Sequence, residues 1–143
     1  MSILSELEQV PFFWHSIDCG DGVVSKGYKS LDLLNQELHY MKLPDLRGKT
    51  VLDIGTWDGF FSFKAEELGA HQVTALDHFV WLHDLELCSA YSKKCIEERT
   101  TPYKGHLVPG LYNPGTYPGK LGFDTIHRIK SSKVAQYIYF AQS

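Results

Sequence analysis

Two carboxylates and two glycines form the clearest chemical pattern in this chain. Asp53 lies near the end of the apolar run Thr50-Val51-Leu52-Asp53-Ile54, Gly55 and Gly59 bracket the turn that follows, and Asp77 closes a second apolar run after Val73, Ala75 and Leu76. A turn with little side-chain bulk lets backbone N–H groups approach a ligand, and a carboxylate past the next strand can hold a ribose diol. The chemistry this defines is nucleoside binding. A dinucleotide fingerprint would need glycine near positions 55, 57 and 60, but Trp57 and Phe60 stand at the last two. Their bulk blocks the close backbone approach that a pyrophosphate requires. The plainer reading is that Asp53 and the glycines only shape a tight strand-to-helix turn.

The elements that must position these residues follow from periodicity and punctuation. Ser30 caps a helix in which Leu31, Leu34, Leu38 and Met41 recur at helical spacing, ending before Pro44. The first strand runs from Thr50 to Ile54. A helix spans about Gly59 to Leu68, with Phe61, Ala65 and Leu68 on one face and Gly69 as its stop. His71 to Leu76 makes a second strand, whose few charges suit a sheet covered on both faces. A helix from about His83 to Glu98 turns Leu85, Cys88, Ser92, Cys95 and Ile96 inward. Thr100 to Gly122, rich in proline and glycine, is a long loop of the kind that serves a site or moves. A short helix over Phe123 to Ser131 then leads to a third strand, Val134 to Phe140. Upstream, Asp21-Gly22 between Ile17-Asp18 and Val23-Val24 signals a hairpin. Alternating strands and helices imply parallel strands joined by right-handed crossovers.

Length and composition bound the remaining choices. With 143 residues, 43% hydrophobic and 22% charged, the chain suits one folded unit with a real core. A net charge of -3 gives no global attraction to nucleic acid. Cys19, Cys88 and Cys95 show no paired spacing, so neither a disulfide framework nor a metal centre is expected, and free thiols in the cytoplasm are the plain reading. No apolar run reaches membrane-spanning length, so no membrane association is expected. There is no Ser/His/Asp order, HExxH helix or Walker-type loop.

A nucleoside without phosphates, such as S-adenosylmethionine, tolerates Trp57 and Phe60 better than a dinucleotide does. The run Val51-Leu52-Asp53-Ile54-Gly55-Thr56-Trp57-Asp58-Gly59-Phe60-Phe61-Ser62-Phe63 resembles motif I of class I S-adenosylmethionine-dependent methyltransferases. In particular it resembles the branch related to tRNA wobble-uridine 5-oxyacetic acid methyltransferases. Phe13-Trp14-His15-Ser16-Ile17-Asp18, Gly22-Val23-Val24, Leu43-Pro44-Asp45-Leu46-Arg47-Gly48-Lys49 and Gly122-Phe123-Asp124-Thr125-Ile126-His127 fit the same branch. The resemblance implies that Asp53, Gly55 and Gly59 contact the methionine portion. It also implies that Asp77 holds the ribose, that His78 lies beside the adenine, and that Thr56 and Trp57 border the cofactor. It implies no particular catalytic residue. The acceptor would be a tRNA uridine or a small molecule.

The fold expected is α/β, a partial Rossmann-like class I methyltransferase fold with the first three parallel strands and their helices, the remaining strands missing. Residues 1–45 would form a helical and hairpin cap, and residues 46–143 the N-terminal half of the methyltransferase domain. On this reading the chain is a truncated form with little activity alone, and the open edge of the first strand favours self-association. The alternative is a non-catalytic nucleoside-binding or interaction module. Two further residues bear on substrate. His15 could reach the acceptor or act as a base, or else be a packed histidine in an aromatic cluster. Lys26 could meet an anionic group on cofactor or acceptor, such as the carboxylate of a carboxylated S-adenosylmethionine, or else be a solvated surface lysine.

Overall fold

A computed structural model of the chain describes residues 1–103 and 107–139. Strands β1 (Thr50–Ile54), β2 (Gln72–Asp77) and β3 (Ala135–Ile138) form one parallel sheet in the order β1-β2-β3. The expected α/β architecture with three parallel strands is therefore present. Thr50 pairs with Gln72 and Ile54 with Leu76, while Asp77 pairs with Ile138. The expected third strand is shorter than its apolar run, and Phe140 lies outside the described residues.

Among the described residues the helical segments are α1 (Ile3–Leu7), α2 (Leu31–Met41), α3 (Phe60–Glu67), α4 (Phe79–Leu82), α5 (Leu85–Glu98), a 3-10 turn (Pro118–Lys120) and α6 (Leu121–Ile129). The Ser30 hydroxyl accepts the Leu33 N–H at 3.2 Å, as its sequence position predicts for the start of α2. The hairpin at Asp21-Gly22 also forms, with Cys19 N–H donating to the Val23 carbonyl at 2.8 Å.

The segment after β2 differs from expectation. Asp84 caps α5 by accepting the Leu87 N–H at 3.0 Å, so the helix begins two residues beyond His83, and residues 79–82 form a separate turn. His83 is extended and bridges Tyr112. Asp84 donates to the Leu111 carbonyl at 2.9 Å and Asn113 to the Leu82 carbonyl at 2.7 Å, which anchors this part of the long loop. Along α5 the inward stripe is Leu85, Cys88, Tyr91 and Cys95, whereas Ser92 and Ile96 face out. The helix touches the rest of the protein along a narrower line than its apolar residues suggest. In α3 the buried positions are Phe60, Ser62, Phe63 and Ala65, with Leu68 exposed and Phe61 only half-buried.

One hydrophobic cluster holds the structure together. Leu7, Phe13, Ile17 and Leu34 from the first 45 residues pack in the same core as Phe63, Val73, Ala75, Trp81, Phe123 and Ile126. The cap segment and the sheet unit thus share one interior. This core covers a single face of the sheet. Alternate residues on the other face remain open among the described residues: Leu52 is 57% exposed, Ile54 73% and Tyr137 62%. The expectation of a sheet covered on both faces is corrected accordingly. Among the described residues β1 pairs only with β2, which leaves its outer hydrogen-bonding edge free. No described helix is long and apolar enough to cross a membrane.

Candidate nucleoside-binding site

Parallel pairing brings the two carboxylates together. Asp53 lies opposite Ala75, and Asp77 follows two residues later on the same strand, so both side chains leave one face at the carboxyl end of the sheet. Ligands of open α/β sheets bind outside this end. Asp53 is half-buried and accepts the Ser62 hydroxyl at 2.7 Å, which in turn meets the Thr56 hydroxyl at 2.9 Å. Thr56 is buried in this hydroxyl chain. Its position is that of a support beneath the turn.

The turn has little free N–H capacity. Gly55 and Thr56 both donate to the Leu76 carbonyl, at 2.8 and 3.2 Å, and Gly59 donates to the Thr56 carbonyl at 2.8 Å. Trp57 donates its backbone N–H to Asp77 at 2.9 Å. An anion cradle needs such groups free, so a pyrophosphate has few donors here. Gly55 adopts φ +77° with nothing within 4 Å of where a Cβ would sit, leaving room for a ligand over the backbone. Gly59 differs: at φ +90°, a Cβ there would lie 2.6 Å from the Phe63 ring and 2.7 Å from the Phe123 ring. Its smallness serves helix packing.

Asp77 is engaged more deeply than its motif position indicates. It is 5% exposed, and besides Trp57 it accepts N–H bonds from His78 at 2.7 Å and Val80 at 3.3 Å. A carboxylate has roughly four acceptor sites, so one remains for a ligand. The first function of this side chain is to tie the β1 turn to the start of α4. Beside it, Trp57 Nε1 and His78 Nδ1 are buried with no hydrogen-bond partner among the described residues. Unpaired buried polar atoms are costly in a folded protein, and His15 Nδ1 and His83 Nε2 share this state among the described residues. Open backbone at Gly55 and a carboxylate on each strand leave room for a nucleoside without phosphates.

An aromatic stack roofs the turn. Trp57 stacks on Trp14 at 4.8 Å and 7°, Trp14 on Tyr28 at 5.0 Å and 8°, and Phe12 leans on Trp57 at 6.2 Å. Trp57 takes a left-handed backbone conformation, φ 51°, and its carbonyl accepts the Trp81 indole N–H at 2.7 Å.

Asp58 was not singled out by sequence, yet it joins the cap to the turn. It is 1% exposed and accepts the backbone N–H groups of Trp14 at 2.6 Å and His15 at 2.9 Å. Burial pushes its carboxyl up to about 7, against the pull of those two N–H bonds. The only local signal was an acid between two turn glycines, since its partners lie 44 and 43 positions away. His15 is buried near Phe60 and Phe61, and burial, helped by nearby Lys29, lowers its imidazole to about 4. At neutral pH its imidazole is uncharged, and its 3.9 Å approach to Asp58 is not a fixed ion pair. This surrounding is that of a packed histidine. Burial also pushes the Cys19 and Cys88 thiols up, so neither is a ready nucleophile. No group of His, Cys, Asp or Glu among the described residues could hold a metal ion.

Lys26 lies apart from the carboxylates. It is exposed and lines a cavity between α1 and the hairpin, whose lining does not include Asp53, Asp77 or His15. No protein-family model matches the chain, and no curated protein matches it.

Proposed function

We propose that this chain binds S-adenosylmethionine at the carboxyl ends of β1 and β2, as a class I methyltransferase domain of the tRNA wobble-uridine branch would. The observation that carries the reading is the placement of Asp53 and Asp77 on one face of adjacent parallel strands, beside a turn whose backbone is open at Gly55. S-adenosylmethionine supplies an activated methyl group on a sulfonium. Asp53, fixed by Ser62, would meet the cationic methionine end, and Asp77 would offer its remaining acceptor site to the ribose. The aromatic stack would exclude water from one side. Methyl transfer gains mainly from orientation, so a rigid turn matters more than a strong base. The acceptor is a tRNA uridine or a small molecule, and the setting cytoplasmic.

Calorimetry of the whole chain tests this. S-adenosylmethionine and S-adenosylhomocysteine should bind and NAD should not, and Asp53→Asn should weaken binding about tenfold, the scale of one charge-assisted contact. Preference for NAD, or unchanged affinity in the variant, would end the proposal.

A second reading is favoured by the free edge and apolar face of β1: a non-catalytic nucleoside-binding or interaction module that self-associates through this strand. Labelled-methyl transfer to total RNA and to small-molecule extracts separates the two, since only an enzyme gives labelled product.

A further inference from the structure

Between α1, residues 10–13 and the return segment 24–28 lies a cavity of about 450 Å³. That is within the roughly 300–1,000 Å³ range of small-molecule sites. Leu7, Val10, Phe12 and Val24 provide apolar wall, and Lys26 is the one cation of its lining. Glu8 is the one carboxylate. Among the described residues neither has an ion-pair partner within 4.0 Å, whereas neighbouring Lys29 is held by Glu37 at 2.6 Å.

The wall that carries Lys26 is fixed from behind. Ser25 is buried; its hydroxyl accepts the Ile17 N–H at 2.8 Å and donates to the His15 carbonyl at 3.1 Å. Tyr28 and Lys29 donate backbone N–H groups to the carbonyls of Phe13 and Trp14, at 3.1 and 2.8 Å. Gly27 lies so close to His15 that a Cβ would fall 2.2 Å from the His15 carbonyl carbon. Little ordering cost remains for a ligand to meet, which is the condition for a small site to bind at all.

We infer that this cavity binds a small molecule with an apolar, aryl or alkyl, body and one anionic group directed at Lys26. The apolar walls exclude a ligand that is polar throughout, and the unpaired ammonium selects the sign of its charge. Glu8 opposes the same charge, so the anionic end must lie toward Lys26 and away from Glu8. Tyr28 belongs both to this cavity and to the Tyr28–Trp14–Trp57 stack, so the cavity and the β1 turn lie at two ends of one aromatic column. That this ligand is the methyl acceptor rests on the proposed function; that it binds does not.

Amide chemical shifts of the whole chain, titrated separately with 3-phenylpropionate, 3-phenylpropan-1-ol and 3-phenylpropylamine, test the assignment without any cofactor. The carboxylate should shift the amides of residues 24–28 and bind about three- to tenfold tighter than the alcohol or amine, the range of a partly exposed charge pair. Lys26→Met should bring the carboxylate down to the alcohol, and Glu8→Gln should tighten it about twofold. Equal affinity for carboxylate and amine, shifts confined to the open sheet face at Leu52 and Ile54, or no binding of any of the three would overturn the inference. Failure of S-adenosylmethionine to bind would remove the proposed function and leave this site standing.

Discussion

Asp58 and His15 touch each other, and burial moves their proton affinities in opposite directions. The Asp58 carboxyl sits at about 7 in the fold against an ordinary 3.8, so the folded chain holds a proton there that the unfolded chain releases. Its contribution to stability is full at acid pH and is lost as pH rises toward 7. His15, lowered from 6.5 to about 4, acts in reverse: below 6.5 the unfolded chain takes the proton more readily, and stability falls as pH drops toward 4. In the native protein the two slopes oppose each other. Asp58→Asn should expose the His15 slope, with the urea midpoint falling from pH 6.5 to 4. His15→Gln should expose the Asp58 slope, with the midpoint falling from pH 4 to 7. Parallel midpoint profiles for both variants would refute the pairing. Two glycines of the same turn make a second residue-scale contrast. Gly59→Ala meets both a left-handed φ and two phenyl rings, and should cost about 2–4 kcal/mol by urea denaturation. Gly55→Ala meets only the strained φ and should cost about 1 kcal/mol.

Among the elements, β1 is both the centre of the candidate site and the most exposed strand of the sheet. Its covered face holds Val51 and Asp53, its open face Leu52 and Ile54, and its outer edge carries no partner strand among the described residues. A free edge beside exposed apolar side chains is a template for strand pairing. Ile54→Lys should therefore reduce self-association, seen as a later gel-filtration peak and lower light scattering. It should leave stability within about 0.5 kcal/mol, since the side chain is already in water. An unchanged elution profile, with the native chain running as a monomer, would show that the edge is harmless. The apolar runs of β1 and β2, the Ser30 cap and the Gly69 stop make strand and helix types readable from sequence. Element faces were less readable. In α5, Ser92 and Ile96 fit a helical stripe as well as Tyr91 does, and only the position of the neighbouring core selects among them.

On the scale of the whole molecule, the first 45 residues and the sheet share one core. Leu7, Phe13 and Leu34 enter the core that supports the sheet, and Asp58 binds the backbone at residues 14 and 15. Unfolding followed by far-UV signal and by tryptophan fluorescence, which reads Trp14, Trp57 and Trp81, should accordingly give one coincident transition. Local patterning by itself determined the strand–helix–strand order and the glycine turn, because apolar runs, glycines and caps act over a few residues, whereas parallel register set Asp53 and Asp77 on one face. Tertiary structure alone decided that Asp77 is held by Trp57, 20 positions away, that Asp58 clamps the cap, and that Lys26 lines a cavity whose lining includes neither carboxylate. Those outcomes depend on which backbone amides and ring faces meet after the chain has closed on itself, and contacts between distant segments leave no periodic trace along it.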